Sequence, residues 1–380
     1  MKLPYTEHLP VNLLAACFNN TSASYKFYWF LSILSRAENG ETELSKNALF
    51  ADMVAQSWFT INYFKVSFGR QDKLQQASAK IKELEDLSID AGRAYIFQKL
   101  CASENKQTIK ELRYFNAEVP HRFLSPWFNA NDLKTAYLKS QCFTNNCLYA
   151  LHQDYIIVNP LWKDYLQQHA GILKSFCYWH LSIYLQARNP SVPDIPGKLI
   201  KSPRRKSLLA QRKKFWDIVI GEMGAVDCIY TGKKLGVGNY AVEHFLPYAF
   251  VSHDLIWNLI PACPSFNSSK SNKLPSLERY FDPYFTLHQN AIEIIQAKAR
   301  VTNFFRITLR FCQTLDLIIL MRKVCWSGCS QWSLLHLTMD LSSSSCECNS
   351  PIFPAMMALV LSQSEKSWSK IFPSMSDSLE

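Results

Sequence analysis

The sequence predicts an α+β protein: a mainly helical N-terminal region with one small β-hairpin, followed by a compact strand-strand-helix unit. Three observations predict it. Residues 1–130 carry several separate apolar runs at helical intervals. Two apolar segments, 148–151 and 155–158, flank the turn residues His152-Gln153-Asp154. Between Cys228 and Pro275, short apolar segments alternate with Gly-, Asn- and Pro-rich turns.

With 380 residues, the chain is long enough for two or three domains with their own cores. Its 48% hydrophobic and 19% charged residues exclude a wholly disordered chain. The formal net charge is +10, and most of that excess sits in residues 198–214, with eight Lys or Arg and no Asp or Glu. Such a run points to an anionic polymer as partner. A solvated linker without a target is the plainer alternative. The 12 cysteines lack paired spacing over most of the chain, and the opening MKLPYTEHLP has no apolar signal core. Free thiols in a reducing cytoplasm are therefore expected. No apolar run reaches the roughly 18 residues of a membrane span, so no membrane partner is expected.

Taken in order, residues 22–36 (SASYKFYWFLSILSR) read as a buried helix with a Ser-rich start. Residues 49–64 follow helical spacing. Residues 72–87 (DKLQQASAKIKELEDL) are rich in strong helix formers and read as an exposed amphipathic helix. Pro120 and Pro126 mark an irregular connection. After the hairpin, one long helix is expected over 161–188, stopped by Asn189-Pro190. His169 and His180 on it read as partly buried residues, since no carboxylate or Cys is spaced to join them. Residues 1–190 are thus a helical region for recognising substrate or a protein partner. Residues 191–207, punctuated by Pro193, Pro196 and Pro203, read as a basic linker that packs in no core. A domain at 208–310 follows, opening with a helix over 208–221 and closing with one over 290–310. Residues 311–380 hold five of the cysteines and a row of four Ser at 342–345. They read as a poorly ordered tail. The gaps Cys325/Cys329 and Cys346/Cys348 do not match a zinc knuckle.

The chemistry concentrates in the 228–275 stretch. Hydrolysis of a phosphodiester needs an activated water, charge neutralisation and a stabilised leaving oxygen. His244 offers a base near neutral pH. Glu243 and Asn267 offer oxygens suited to magnesium or manganese. Lys270, three residues after Asn267, shares a helix face with it and is placed to contact phosphate. Lys273 and the basic residues Arg204, Arg205, Lys206, Lys213 and Lys214 extend that contact. For the scaffold, Cys228-Ile229-Tyr230 is a strand, 231–239 a turn-rich loop with three Gly, and 240–244 the returning strand. Pro264 opens a short helix that carries Asn267 and Lys270 and stops before Pro275. Adjacent strand residues face opposite ways. Glu243 and His244 therefore converge only where the strand ends, as Pro247 suggests. His253 reads as a surface loop residue.

These residues together resemble the HNH nuclease superfamily, the ββα-metal fold. The form closest in spacing is the HNH domain of RNA-guided CRISPR effector nucleases. The shared pattern is Tyr-Thr-Gly-x-x-Leu at 230–235, acid-His-x-x-Pro at 243–247, Asn258, and Asn-x-x-Lys at 267–270. His244 to Asn258 is a step of fourteen positions and Asn258 to Asn267 a step of nine. The resemblance implies that His244 is the general base, that Glu243 and Asn267 hold a divalent metal, and that Asn258 holds the loop orienting the histidine. It favours DNA over RNA as the substrate and, by analogy, a role in restriction or anti-phage defence. Two departures stand out. Glu243 replaces the more usual Asp. Each zinc-binding Cys-x-x-Cys pair of many relatives is halved, to Cys228 with Thr231 and Cys263 with Phe266. Two thiolates do not close a tetrahedral site, so no structural zinc is expected, and hydrophobic packing takes its place. Two alternatives stay open: a nucleic-acid-binding protein whose HNH fold no longer cuts, and a nuclease subunit active only in a larger assembly.

Overall fold

The structure, a computed structural model, describes residues 3–19, 21–128, 132–200, 207–270 and 272–298. The expected tail at 311–380 and the basic residues Arg204, Arg205 and Lys206 lie outside the described residues. The protein is α+β, and its described residues divide into two compact units, one up to residue 200 and one over 207–298.

The first unit is built on helix Tyr25–Ala37, buried on nearly every side through Tyr28, Trp29, Phe30, Ile33 and Leu34. It begins three residues later than expected. Helix Lys46–Trp58 continues into the π-helical turn Phe59–Tyr63, over the region read as one helix. Helix Lys73–Leu84 buries one face only, Leu74, Ala77, Ser78 and Ile81, as its alternation of charged and apolar residues dictates. Asp72 caps it, its Oδ1 accepting from the Leu74 amide at 3.0 Å while Oδ2 accepts from the Ser24 amide at 2.7 Å. One buried carboxylate thereby ties two helix starts together.

The expected hairpin is present as β2 (Tyr149–Leu151) and β3 (Tyr155–Val158), but it is not alone. A three-residue strand, β1 (Glu43–Ser45), pairs antiparallel with β3, giving the sheet order β1-β3-β2. Tyr149 anchors this sheet in the core: its hydroxyl accepts from Trp29 Nε1 at 2.9 Å and donates to the Pro120 carbonyl at 2.7 Å.

Two expectations need correction here. The single helix over 161–188 is two helices, Pro160–Gln168 and Ala170–Gln186, broken at His169 with φ −108° and ψ 14°. Asn159 caps the first, accepting from the Leu161 amide at 3.0 Å, with Pro160 in the first turn. His169 and His180 are half-buried against Tyr165 and Phe176, respectively. The second correction concerns the linker. Residues Ile195–Ile200 form a helix of the first unit in which Ile195 and Lys198 are fully buried. The Lys198 ammonium donates to the Pro193 carbonyl, and its own carbonyl accepts from Thr60 Oγ1 at 3.1 Å. The first lysine of the basic run is thus a core residue.

The second unit opens with a near-continuous helical stretch, Leu209–Gln211, the π-helical turn Arg212–Trp216 and Asp217–Met223. Four strands follow in two antiparallel pairs: β4 (Val226–Asp227) with β5 (Lys234–Leu235), and β6 (Ala241–His244) with β7 (Leu259–Ala262). Residues 228–230, expected as a strand, form a tight turn instead. The Thr231 and Gly232 amides both donate to the Cys228 carbonyl, and Gly232 takes φ +70°, which favours glycine. Nor does β6 return along the first strand; it pairs with β7. Pro261 sits opposite Val242 in this ladder. A proline is tolerated there because β7 has a partner on one side only. The closing helix runs Leu277–Lys298 straight through Pro283, starting thirteen residues before the expected 290. The burial of Tyr284, Leu287, Ala291 and Ile295 in the core offsets the hydrogen bond that Pro283 cannot make. The expected stretch beyond 298 lies outside the described residues.

Candidate active site

His244 is the last residue of β6, opposite Leu259 of β7. The chain turns away immediately afterwards. Phe245 donates its amide to the Asn258 carbonyl at 2.7 Å. The Asn258 side chain completes the hold on the next residue: Oδ1 accepts from the Leu246 amide at 2.7 Å and Nδ2 donates to the Leu246 carbonyl at 2.8 Å. A primary amide matches a peptide group donor for acceptor, and Asn258 is fully buried. Pro247 then opens the short helix Tyr248–Val251, whose Tyr248 ring meets the His244 imidazole edge-on with centroids 5.6 Å apart.

Glu243 and His244 part as neighbouring strand residues should. The Glu243 carboxylate faces helix Pro264–Lys270. There the Lys270 ammonium lies 2.9 Å from Glu243 Oε1 and donates to the His244 carbonyl at 2.7 Å. Both side chains are nearly excluded from solvent. Lys270 therefore points into the unit and neutralises Glu243, which corrects its expected place on a phosphate-contacting surface. Its helix is anchored by aromatic stacking, Tyr230 on Phe266 at 4.3 Å and 17°, with Tyr280 edge-on to Tyr230 at 5.0 Å. Burial raises the Tyr230 hydroxyl pKa steeply, and the nearby Glu243 charge adds to it. The half-pairs Cys228 and Cys263 are buried free thiols in the same place, with the Cys263 amide donating to Cys228 Sγ at 3.4 Å. The Tyr230–Phe266 stack is one contact that joins the 228–235 turn to the helix.

The imidazole of His244 faces the other way. Its Nε2 lies 2.9 Å from Asp254 Oδ1. Asp254 is a residue that reading the sequence missed. It stands in a loop of ordinary polarity, and nothing in its spacing marks it. His253 beside it lies in the same loop and is half-buried, its ring 5.0 Å from that of Trp257.

Asn267 lies on the Pro264–Lys270 helix one turn before Lys270 and is half-buried. Among the described residues its side-chain amide takes no hydrogen bond, and Glu243 uses only Oε1. One carboxylate oxygen and one amide oxygen are thus available, both hard donors. No group of three or more His, Cys, Asp or Glu is assembled for a metal among the described residues. The carboxylate and the amide are both oxygen donors of the class that magnesium and manganese prefer. Of the basic residues, Lys213, Lys214 and Lys273 are exposed. Arg212 is engaged, stacked 4.6 Å over Tyr240 and 3.8 Å from Asp217. No helix among the described residues is long and apolar enough to cross a membrane.

Residues 228–276 match the family model described as HNH endonuclease. The match spans the turn at 228–235, β6, β7 and the Pro264–Lys270 helix, and places this segment in the HNH superfamily, a family of nucleases. No curated protein and no solved structure matches the chain.

Proposed function

We propose that this protein is a divalent-metal-dependent endonuclease acting on DNA, with His244 as the general base. The observation that carries the reading is the Asn258 clamp. Buried hydrogen bonds to both the N–H and the C=O of Leu246 hold the strand end that presents His244, while the Glu243 carboxylate leaves the same strand end on its other face. A held base is what proton abstraction requires.

In this reading a phosphodiester enters beside His244 with one water. His244 takes a proton from that water. The water oxygen forms the new P–O bond as the bond from phosphorus to the leaving oxygen breaks, and the leaving oxygen is protonated from solvent. Glu243 and Asn267 would hold the metal, which supplies charge neutralisation at the phosphate. Lys213, Lys214 and Lys273 contribute backbone contacts, with Arg204, Arg205 and Lys206 extending them. Such contacts position the polymer without reading its sequence. DNA as substrate, and a defence role against foreign DNA, rest on the resemblance alone. The helical first unit would recognise substrate or a protein partner.

One observation favours a second reading, a binding protein that no longer cuts: Glu243 already has a cation, Lys270, at 2.9 Å. Incubating supercoiled plasmid and single-stranded DNA and RNA with the protein and Mg²⁺ or Mn²⁺ separates the two. Nicking that His244→Ala abolishes supports the nuclease. Equal behaviour of wild type and His244→Ala, with binding retained, supports the second reading.

A further inference from the structure

The His244–Asp254 pair has no counterpart in the motif residues that mark the stretch. Asp254 lies ten positions after His244, on the segment between helix Tyr248–Val251 and the turn Ile256–Asn258. Several contacts place that segment. Ser252 closes the helix in the left-handed region at φ 60°. The Leu255 amide donates to His253 Nδ1 at 3.4 Å. The Asp254 carbonyl accepts from Gln211 Nε2 at 3.4 Å, reaching back to the opening helix of the unit. The His244 side chain is 4% exposed and that of Asp254 22%. The contact is therefore sheltered, unlike a screened surface pair.

An ionised carboxylate only accepts hydrogen bonds. The imidazole nitrogen that faces Asp254 must therefore carry its hydrogen. A neutral His244 then has Nε2–H and a lone pair on Nδ1. We propose that Asp254 is the positioning residue of His244: its carboxylate holds the Nε2–H, fixes the plane of the ring and leaves Nδ1 as the nitrogen that accepts the proton. This rests on the nuclease reading for its consequence but not for its geometry. The arrangement follows the general pattern of a base oriented by a third group. Here the orienting group is placed by the loop that the Asn258 clamp closes.

The test uses the full chain with ¹⁵N-labelled histidine. Ring ¹⁵N spectra, assigned by loss of one signal in His244→Ala, report which nitrogen carries hydrogen. The wild type is expected to show the Nε2–H tautomer with an Hε2 proton protected from exchange with water. In Asp254→Ala that protection disappears. In Asp254→Asn it weakens, because a neutral amide oxygen is a weaker acceptor than a carboxylate oxygen. Metal-dependent cleavage by Asp254→Ala should fall on the order of 10- to 100-fold in kcat, part of the roughly 10²–10⁴-fold that a positioned base contributes, with KM within about twofold and an unchanged circular dichroism spectrum. An Nδ1–H tautomer in the wild type, or an Hε2 proton as exposed in the wild type as in Asp254→Ala, overturns the proposal without any need for a folded variant. So does cleavage by Asp254→Ala at the wild-type rate. If the wild type shows the protected Nε2–H but cuts nothing, the nuclease reading fails while the positioning role stands.

Discussion

Replacing Asn258 by Ala tests the clamp at the centre of the candidate site. The side chain is fully buried and makes two hydrogen bonds to one residue, at 2.7 Å and 2.8 Å. Truncation leaves both the N–H and the C=O of Leu246 without their partner. A buried polar group left unsatisfied costs about 1–3 kcal/mol, so two give about 2–6 kcal/mol. Leu246 is itself half-buried. Water can relieve part of the loss, which places the expected value in the lower part of that range, about 2–4 kcal/mol. For a unit of this size each kcal/mol corresponds to roughly 4–8 °C in melting temperature, so a drop of at least about 8 °C is expected. Differential scanning calorimetry of the full chain reads this as a downward shift in melting temperature. Asn258→Asp sharpens the test. It keeps the oxygen that accepts from the Leu246 amide but sets a second oxygen against the Leu246 carbonyl, so it should be at least as damaging as Ala. A change below about 0.5 kcal/mol in Asn258→Ala, the range of an ordinary surface substitution, would refute the clamp.

Two further outcomes follow from buried titratable groups. His288 lies in the core of the second unit between the rings of Trp216 and Tyr284, and burial pushes its pKa down to about 3. The native state then stays neutral in the window from about 6.5 down to 3, whereas the unfolded state gains a proton there. Stability is full above pH 6.5 and falls by up to about 1.4 kcal/mol per pH unit on acidification through that window. Urea unfolding at pH 6.5 and 5.0 should show this loss, about 1.6 kcal/mol over the interval, shrinking in His288→Phe; an equal pH slope in both proteins would contradict it. In the first unit, Asp72→Ala removes acceptors for the Leu74 and Ser24 amides together and is expected to cost about 2–4 kcal/mol. Asp72→Asn, which keeps one carbonyl oxygen, should lose less, and equal losses would show that the two caps are not independently satisfied.

The sequence by itself determined the features that local chemistry controls. Asp72 before a run of helix formers and Pro264 each mark a helix start through hydrogen bonds or backbone angles within a few residues. The hairpin at 149–158 shows for the same reason, since its turn and both strands are contiguous. The spacing of His244, Asn258 and Asn267 is also a property of the chain alone. What tertiary structure decided was the choice of partner across long gaps in sequence. β1 is three residues long, too short for any periodicity, and exists only because β3 offers it a ladder more than a hundred positions away. β6 has to pair with β7 rather than the first strand, because the tight turn at Cys228 uses up the residues expected to extend that strand. Helix spacing correctly put Asn267 and Lys270 on one face but did not say whether that face meets solvent or the unit. Packing turned Lys270 inward onto Glu243. Asp254 was invisible for a related reason: a single carboxylate in a loop carries no pattern. Its role comes from where the folded loop sets it, 2.9 Å from the ring of His244.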